Sequence, residues 1–342
     1  MNPIDLCERG LVPDAILRAA VRQLSRRRLT EHDAQDPAAI DALKKEMMAQ
    51  WHSGPIAVET DAANEQHYEL PPAFFVHALG IHLKYSCGYW PAGVNTLDES
   101  EKRMLELSCE RAQLEDGQRI LELGCGWGSL TLWMARHYPK AQILAVSNSA
   151  LQRGYIEERA AAEGLKNVQV QTCDINTFDP GQEFDRVVSI EMMEHLRNHK
   201  LLFERVAGWL KPGGKLFSHV FCHREMLYPY EDRGDDDWMS RYFFTGGIMP
   251  SYDYFLLMPE HLQCEQRWWV PGTHYEATSN AWLARTDANK AEILKVLEQH
   301  YSAADARIWL QRWRMFFVAV AEFFGLEGGT QWGVGHYLLS KP

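Results

Sequence analysis

Glu191, Glu194 and His195, in the run Ser189-Ile-Glu-Met-Met-Glu-His195, carry the densest chemistry in this chain. Two carboxylates attract a cation, and an imidazole with a pKa of about 6.5 suits proton acceptance near neutrality. If a helix has begun by Glu191, positions i, i+3 and i+4 share one helical face and all three look the same way. The same residues also suit a plain helix start, where the dipole favours acids in the first turn. A second segment, Gln118-Arg-Ile-Leu-Glu-Leu-Gly-Cys-Gly-Trp-Gly128, runs an apolar strand into a glycine turn. Gly124, Gly126 and Gly128 remove side chains that would keep a ligand off the backbone as the next helix begins. Glu122 would then face a ligand bearing an ammonium and a sulfonium, as S-adenosyl-L-methionine does. The spacing alone also fits a dinucleotide-binding loop.

Other constellations carry less. His195 with His199 and His219 with His223 have the four-residue spacing of paired ligands, but no further Cys or carboxylate completes a metal site, and none is expected. Cys125 sits in the glycine loop without a partnered base and reads as a small packing residue. Seven cysteines without a C-x-x-C pair argue against a disulfide framework, so reduced thiols are expected. Lys plus Arg number 35 against 46 Asp plus Glu, a net charge of −11 that disfavours nucleic acid and anionic lipid and tolerates cationic ligands. With neither a secretion signal nor an apolar run long enough for a bilayer, a soluble cytoplasmic protein without stable membrane association is expected.

These residues need elements to position them. The 342 residues, 46% of them hydrophobic, suffice for one large core with additions. Residues 1–65 form a helical amino-terminal segment, clearest at 15–28 and 37–50, which offers a homodimer contact. From residue 119 strands alternate with amphipathic stretches: 119–123, 142–148, 168–174, 184–191 and 214–221, then 262–270 and 332–339 after helical segments within 279–324. Such alternation gives a parallel α/β sheet whose ligands bind beyond the carboxyl ends of the strands. Lys211-Pro-Gly-Gly214 reads as a turn before the fifth strand. The expected divisions are the helical segment 1–65, a cofactor-binding α/β core 66–222, a substrate cap 223–261 rich in aromatics and acids (Asp232, Asp235, Asp236 and Asp237 among them), and a part at 262–342 completing sheet and pocket.

Further segments carry a resemblance: His67-Tyr-Glu-Leu-Pro71, Leu83-Lys-Tyr-Ser-Cys-Gly-Tyr89, Leu121-Glu-Leu-Gly-Cys-Gly-Trp-Gly-Ser-Leu130, Ser189 to His195, Phe221-Cys-His223, Asp235-Asp-Asp-Trp238 and Arg241-Tyr-Phe-Phe-Thr-Gly-Gly247. From about His67 onward the chain resembles the cyclopropane fatty acid synthase-like class I methyltransferases, most of all the benzylisoquinoline N-methyltransferase branch. The resemblance implies a Rossmann-like seven-stranded sheet, mostly parallel with an antiparallel last strand, plus a helical amino-terminal segment and a cap. It implies S-adenosyl-L-methionine as cofactor. It places Tyr85 and Ser86 at the methionine end, Asn148 and Gln152 at the ribose, and Asp174 with Ile175 at the adenine. Asn148 and Asp174 also suit helix caps.

The resemblance further implies N-methylation of a small cyclic or aromatic amine. Glu194 and His195 would bind the amine and take its proton, with Glu191 nearer the cofactor or the loop. Tyr242, Phe243, Phe244, Phe324 and Trp332 would wall the ring system. The parent synthases instead add a methylene across a lipid olefin, using a bicarbonate held by residues matching Cys87, Glu194, His219 and Tyr275. All four residue types are present, although Phe221 stands where those synthases carry a smaller aliphatic side chain. A non-catalytic binding protein is disfavoured because the Glu-His pair accompanies the glycine loop.

Overall fold

A computed structural model describes residues 2–33, 36–58, 70–231, 234 and 238–341. Residues 67–69 of the first motif, together with Asp232 and Asp235, Asp236 and Asp237 of the acidic stretch, lie outside the described residues. The chain divides into two compact units, each assembled from three stretches: Met1–Asp36, Leu70–Met104 and Pro271–Gly333 in the first, and Pro37–Glu69, Leu105–Val270 and Val334–Pro342 in the second. These units cut across the divisions read from composition. Composition follows chain order, whereas compactness follows contacts between segments far apart in the chain.

The second unit carries the sheet. Its strands are β1 (Arg119–Leu123), β2 (Gln142–Ser147), β3 (Val168–Thr172), β4 (Phe184–Ile190) and β5 (Leu210–His223); two short strands, β6 (Tyr228–Pro229) and β7 (Ile248–Met249), pair separately; β8 (Gln263–Pro271) and β9 (Trp332–Ser340) complete it. The order is β3-β2-β1-β4-β5-β9-β8, with β1 to β5 parallel and β9 the antiparallel last strand. This is the seven-stranded class I methyltransferase arrangement.

Strand alternation decides what each face buries. Leu121, Leu123, Val187, Leu216 and Val220 pack with Leu202, Phe203 and Val206 of the helix His199–Trp209. Ile120, Ile143, Val188 and Phe217 face the opposite way, onto Leu130, Trp133 and Met134 of the helix Ser129–His137. Because β2 lies on one side of β1 and β4 on the other, the strand order reverses beside β1, the point at whose carboxyl ends open α/β sheets bind their ligands. The Lys211-Pro-Gly-Gly214 turn is absorbed into β5 as a register shift between the pairs Phe184↔Leu210 and Arg186↔Lys215, with Gly213 at φ +75°. The expected boundary at Gly214 therefore moves to Leu210, because the residues on both sides of the turn pair with β4.

The first unit is helical, built from Pro3–Glu8, Asp14–Asp33, Pro72–Ala78, Gly272–Ala288, Lys290–Leu297 and Ala303–Gly325. Its centre is aromatic: the Trp313 ring lies 4.8 Å from Phe74 and 5.8 Å from Phe317, all almost fully buried. Glu322 in the last helix binds Arg18 and Arg22 of the second, fastening the amino-terminal segment. Among the described residues no helix is long and apolar enough to cross a membrane.

Candidate active site

The loop after β1 holds all three glycines at positive φ: +78° at Gly124, +51° at Gly126 and +81° at Gly128. Their reasons differ. A Cβ on Gly124 would lie 2.5 Å from the Met192 side chain, and one on Gly128 would lie 2.6 Å from Ile156. A Cβ on Gly126 would meet no heavy atom within 4 Å, so Gly126 is the residue that leaves room for a ligand against the backbone. Glu122 alternates onto the face under the helix Ser129–His137, where Oγ1 of Thr131 donates to its carboxylate at 2.5 Å, and burial pushes its pKa up to about 8. Burial likewise pushes the Cys125 thiol well above its ordinary range, as an inert packing residue requires.

Beyond β2, Ser149 caps the helix Ala150–Ala162, so the cap role open to Asn148 belongs to its neighbour. Gln152 accepts from the Ser147 hydroxyl at 2.6 Å, while its Nε2 is buried without a partner. A buried amide donor of this kind awaits an acceptor. Beyond β3, Asp174 receives the Asn176 amide at 2.9 Å in a tight turn, with its carbonyl accepting from Thr177 and Phe178, and no helix follows for it to cap. Ile175 is half-buried against the core.

The turn after β4 departs from the helical-face expectation. Glu191 lies in the left-handed region at φ +45°, and a short 3-10 turn begins only at Met193. The three residues nevertheless converge. Met192 fills the space vacated by the Gly124 side chain, which sets this turn against the glycine loop. Nε2 of His219 lies 3.0 Å from Oε1 of Glu191. Glu194 is almost fully buried, and neither carboxylate oxygen has a hydrogen bond of good geometry, although the backbone amides of Glu194 and Phe221 are near enough to favour its charged form. Burial first, then the neighbouring Glu191, push its pKa well above the carboxylate range. His195 is lowered by burial to about 4, against the opposing influence of Glu191, so its imidazole is neutral.

An aromatic wall flanks this turn. The Phe244 ring stacks on His195 at 5.4 Å and 6°, with Tyr230 at 5.2 Å and Phe221 edge-on at 5.5 Å. Backbone contacts hold it there: a Cβ on Gly247 would lie 3.2 Å from the Glu194 carbonyl, and Nε of Arg197 donates to the Gly246 carbonyl at 2.7 Å. Phe243 is fully buried against Trp238 at 5.4 Å, and Tyr242 packs on the same tryptophan. Of these neighbouring aromatics, Phe244 is the one beside the imidazole.

The first unit holds the remaining expected residues. Tyr85 packs among Phe75, Trp282 and Trp313 at 5.6 to 6.1 Å. The buried Lys84 ammonium donates to Ser86 Oγ and, at 2.8 Å, to the Cys87 carbonyl. The Cys87 thiol is spent on the Gly88 carbonyl, and Tyr275 stacks on Phe324 at 4.5 Å. Trp332 is fully buried against Phe323 at 4.2 Å. Glu101 accepts the amides of Gly80 and His82, both at 2.9 Å, anchoring the loop that leads to Tyr85; burial raises its pKa to about 7.

The family profile described as mycolic acid cyclopropane synthetase matches residues 58–326. The chain belongs to that family. This family member is 36% identical over 347 residues to (S)-coclaurine N-methyltransferase of Thalictrum flavum subsp. glaucum, covering 98% of this chain and 94% of the relative. It is 31% identical over 280 residues to cyclopropane-fatty-acyl-phospholipid synthase of Escherichia coli strain K12, covering 78% and 69%. A crystal structure of coclaurine N-methyltransferase bound to N-methylheliamine and SAH matches with a TM-score of 0.94 at 35% identity, over 98% of both chains. This cyclopropane synthetase-family chain is an S-adenosylmethionine-dependent methyltransferase. The open space at Gly126 and the orphaned Gln152 amide fit that cofactor.

Sequence reasoning missed Arg111, His336, Lys84 and Glu101. For His336 the signal was a histidine inside the otherwise apolar β9, and for Lys84 a lysine within the Leu83-Lys-Tyr-Ser-Cys motif. The two paired-histidine spacings have structural explanations. His199 bonds the Tyr254 hydroxyl at 3.1 Å and the Met193 carbonyl at 2.8 Å, and Nδ1 of His223 accepts the Glu225 and Met226 amides.

Proposed function

We propose that this enzyme methylates the nitrogen of a small cyclic amine of the tetrahydroisoquinoline type. The observation that carries the reading is Glu194: a buried carboxyl with no hydrogen bond of good geometry, beside a second carboxyl and a stacked imidazole–phenyl pair. Such a group is costly in charged form until a cation arrives to pair with it. The names of the relatives point the same way, one being an (S)-coclaurine N-methyltransferase and one solved structure holding N-methylheliamine.

S-adenosyl-L-methionine supplies, when bound, a methyl group already activated on a sulfonium. The chain's own residues must then present a nitrogen lone pair in line with it. A secondary amine with a pKa of about 10 is roughly one part in a thousand neutral at pH 7, a deficit of about 4 kcal/mol. Glu191 and Glu194 draw in the ammonium, and Glu194 takes its proton. Burial makes Glu194 the better acceptor, each unit of upward shift easing the transfer by about 1.36 kcal/mol. His195 stays neutral beside the amine, while the aromatic wall of Phe244 and Tyr230 suits both a planar ring and a cation.

His219 speaks for the amine over bicarbonate, because both its ring nitrogens are already engaged, with Glu191 and with His336. The test is a competition in which labelled S-adenosylmethionine is offered to tetrahydroisoquinolines and dispersed unsaturated phospholipid together. Label in the amines, lost about 10²- to 10⁴-fold in Glu194→Gln with cofactor affinity kept, is expected. Label in the lipid, or full turnover in Glu194→Gln, overturns the reading.

A further inference from the structure

Arg111 ends the helix Leu97–Arg111, half-buried, with its guanidinium 4.9 Å from the Trp268 ring centroid and its Nη1 2.8 Å from Nδ1 of His336. His336 is fully buried in β9, and its Nε2 lies 2.9 Å from Nδ1 of His219. Nε2 of His219 lies 3.0 Å from Oε1 of Glu191. The four side chains form one line within the unit that carries the sheet.

The direction of every bond in that line follows from its first member. A guanidinium has donors only, so Nδ1 of His336 is an acceptor and bears no proton. A neutral imidazole has one donor and one acceptor, so Nε2 of His336 carries the proton and donates to Nδ1 of His219. By the same rule Nε2–H of His219 donates to Glu191. An outgoing proton needs the opposite orientation throughout, ending at a guanidinium that has no lone pair to receive it.

We propose that Arg111 and His336 are positioning residues which, through His219, aim an N–H at Glu191, hold its carboxylate ionised beside Glu194 and His195, and close this line to an outgoing proton. The functional part rests on reading that cluster as the amine site. The proton taken from the amine then leaves from the Glu194 and His195 side. Arg111 acts from two side chains away, through His336 and His219, and lies beyond the residues expected to touch a ligand.

Histidine-selective 15N labelling of the full chain without substrate reads the tautomers directly. Nε2–H tautomers are expected at both His219 and His336. Arg111→Met removes the donor and is expected to shift His336 toward the Nδ1–H tautomer and raise the amine KM about tenfold, a charge-assisted bond's worth, with cofactor affinity unchanged. Arg111→Lys keeps a donor-only cation and is expected to restore both readouts. An Nδ1–H or doubly protonated ring at either position in the parent protein, or an unchanged spectrum in Arg111→Met, overturns the proposal. Should Arg111→Met fail to fold, the parent spectrum and Arg111→Lys decide. Since tautomers are read without substrate, failure of amine methylation leaves this test standing, and failure of the tautomers leaves the amine reading standing.

Discussion

His219 holds Glu191 twice: its backbone carbonyl accepts the Glu191 amide at 2.8 Å, and its Nε2 meets the Glu191 carboxylate at 3.0 Å. The double tie keeps Glu191 at φ +45°, where an L-residue costs roughly 1–3 kcal/mol, and turns its carboxylate back toward β5 instead of into a helix.

Glu191→Gly separates these two effects. Glycine removes the backbone strain, so the melting temperature should hold or rise, while loss of the carboxylate should lower kcat/KM for the amine about a hundredfold or more. A variant with full activity would remove Glu191 from the amine site.

Amine binding should release protons. Burial and the neighbouring Glu191 raise the Glu194 pKa in the free protein, and an ammonium arriving beside it favours the charged form and pulls that pKa back down. Calorimetry in buffers of different ionisation enthalpy should show net proton release on amine binding, lost in Glu194→Gln. Zero release by the parent protein contradicts the assignment.

Gly124 and Gly126, two of the loop's three glycines, should respond differently to alanine. Gly124→Ala drives a Cβ into Met192 and should destabilise the fold by about 1–3 kcal/mol. Gly126→Ala meets only open space and the cost of its positive φ, about 1 kcal/mol, yet should weaken S-adenosylmethionine at least about tenfold. Equal cofactor affinity in Gly126→Ala and the parent would show that the ligand does not approach there.

Without cofactor, stability should fall as pH rises. The Glu122 pKa is raised in the folded state to about 8, so its stabilising contribution is full below the ordinary carboxylate range and is lost as pH climbs through about 8. Between about pH 5.5 and about pH 8 the loss amounts to roughly 3 kcal/mol from this group. Glu122→Gln, which keeps an acceptor for Thr131, should flatten the curve, and melting temperatures at the two pH values check it. An unchanged slope means the carboxyl is more solvated than its burial implies.

The strands at Arg119–Leu123 and Trp332–Ser340 were legible within a residue because their apolar runs are bounded by turn residues. The amino-terminal helices were legible by the same periodicity. The active-site turn was legible in composition and not in shape. Nothing local in Ser189-Ile-Glu-Met-Met-Glu-His195 announces that Glu191 takes a left-handed conformation, since the residue that ties it, His219, lies in β5. Likewise Phe243 and Phe244 are indistinguishable in sequence. Packing puts one into the core against Trp238 and the other onto the His195 ring.

The sequence by itself determined the element types, the glycine loop and the presence of two carboxylates and an imidazole at one strand end, because these depend on near neighbours and on a period of two or 3.6 residues. Only the tertiary structure decided how those groups are charged and aimed. Arg111 and His336 stand 225 residues apart, and His336 and His219 stand 117 apart. They meet because β9 inserts beside β5, bringing side chains from the two ends of the fold's sequence into one line.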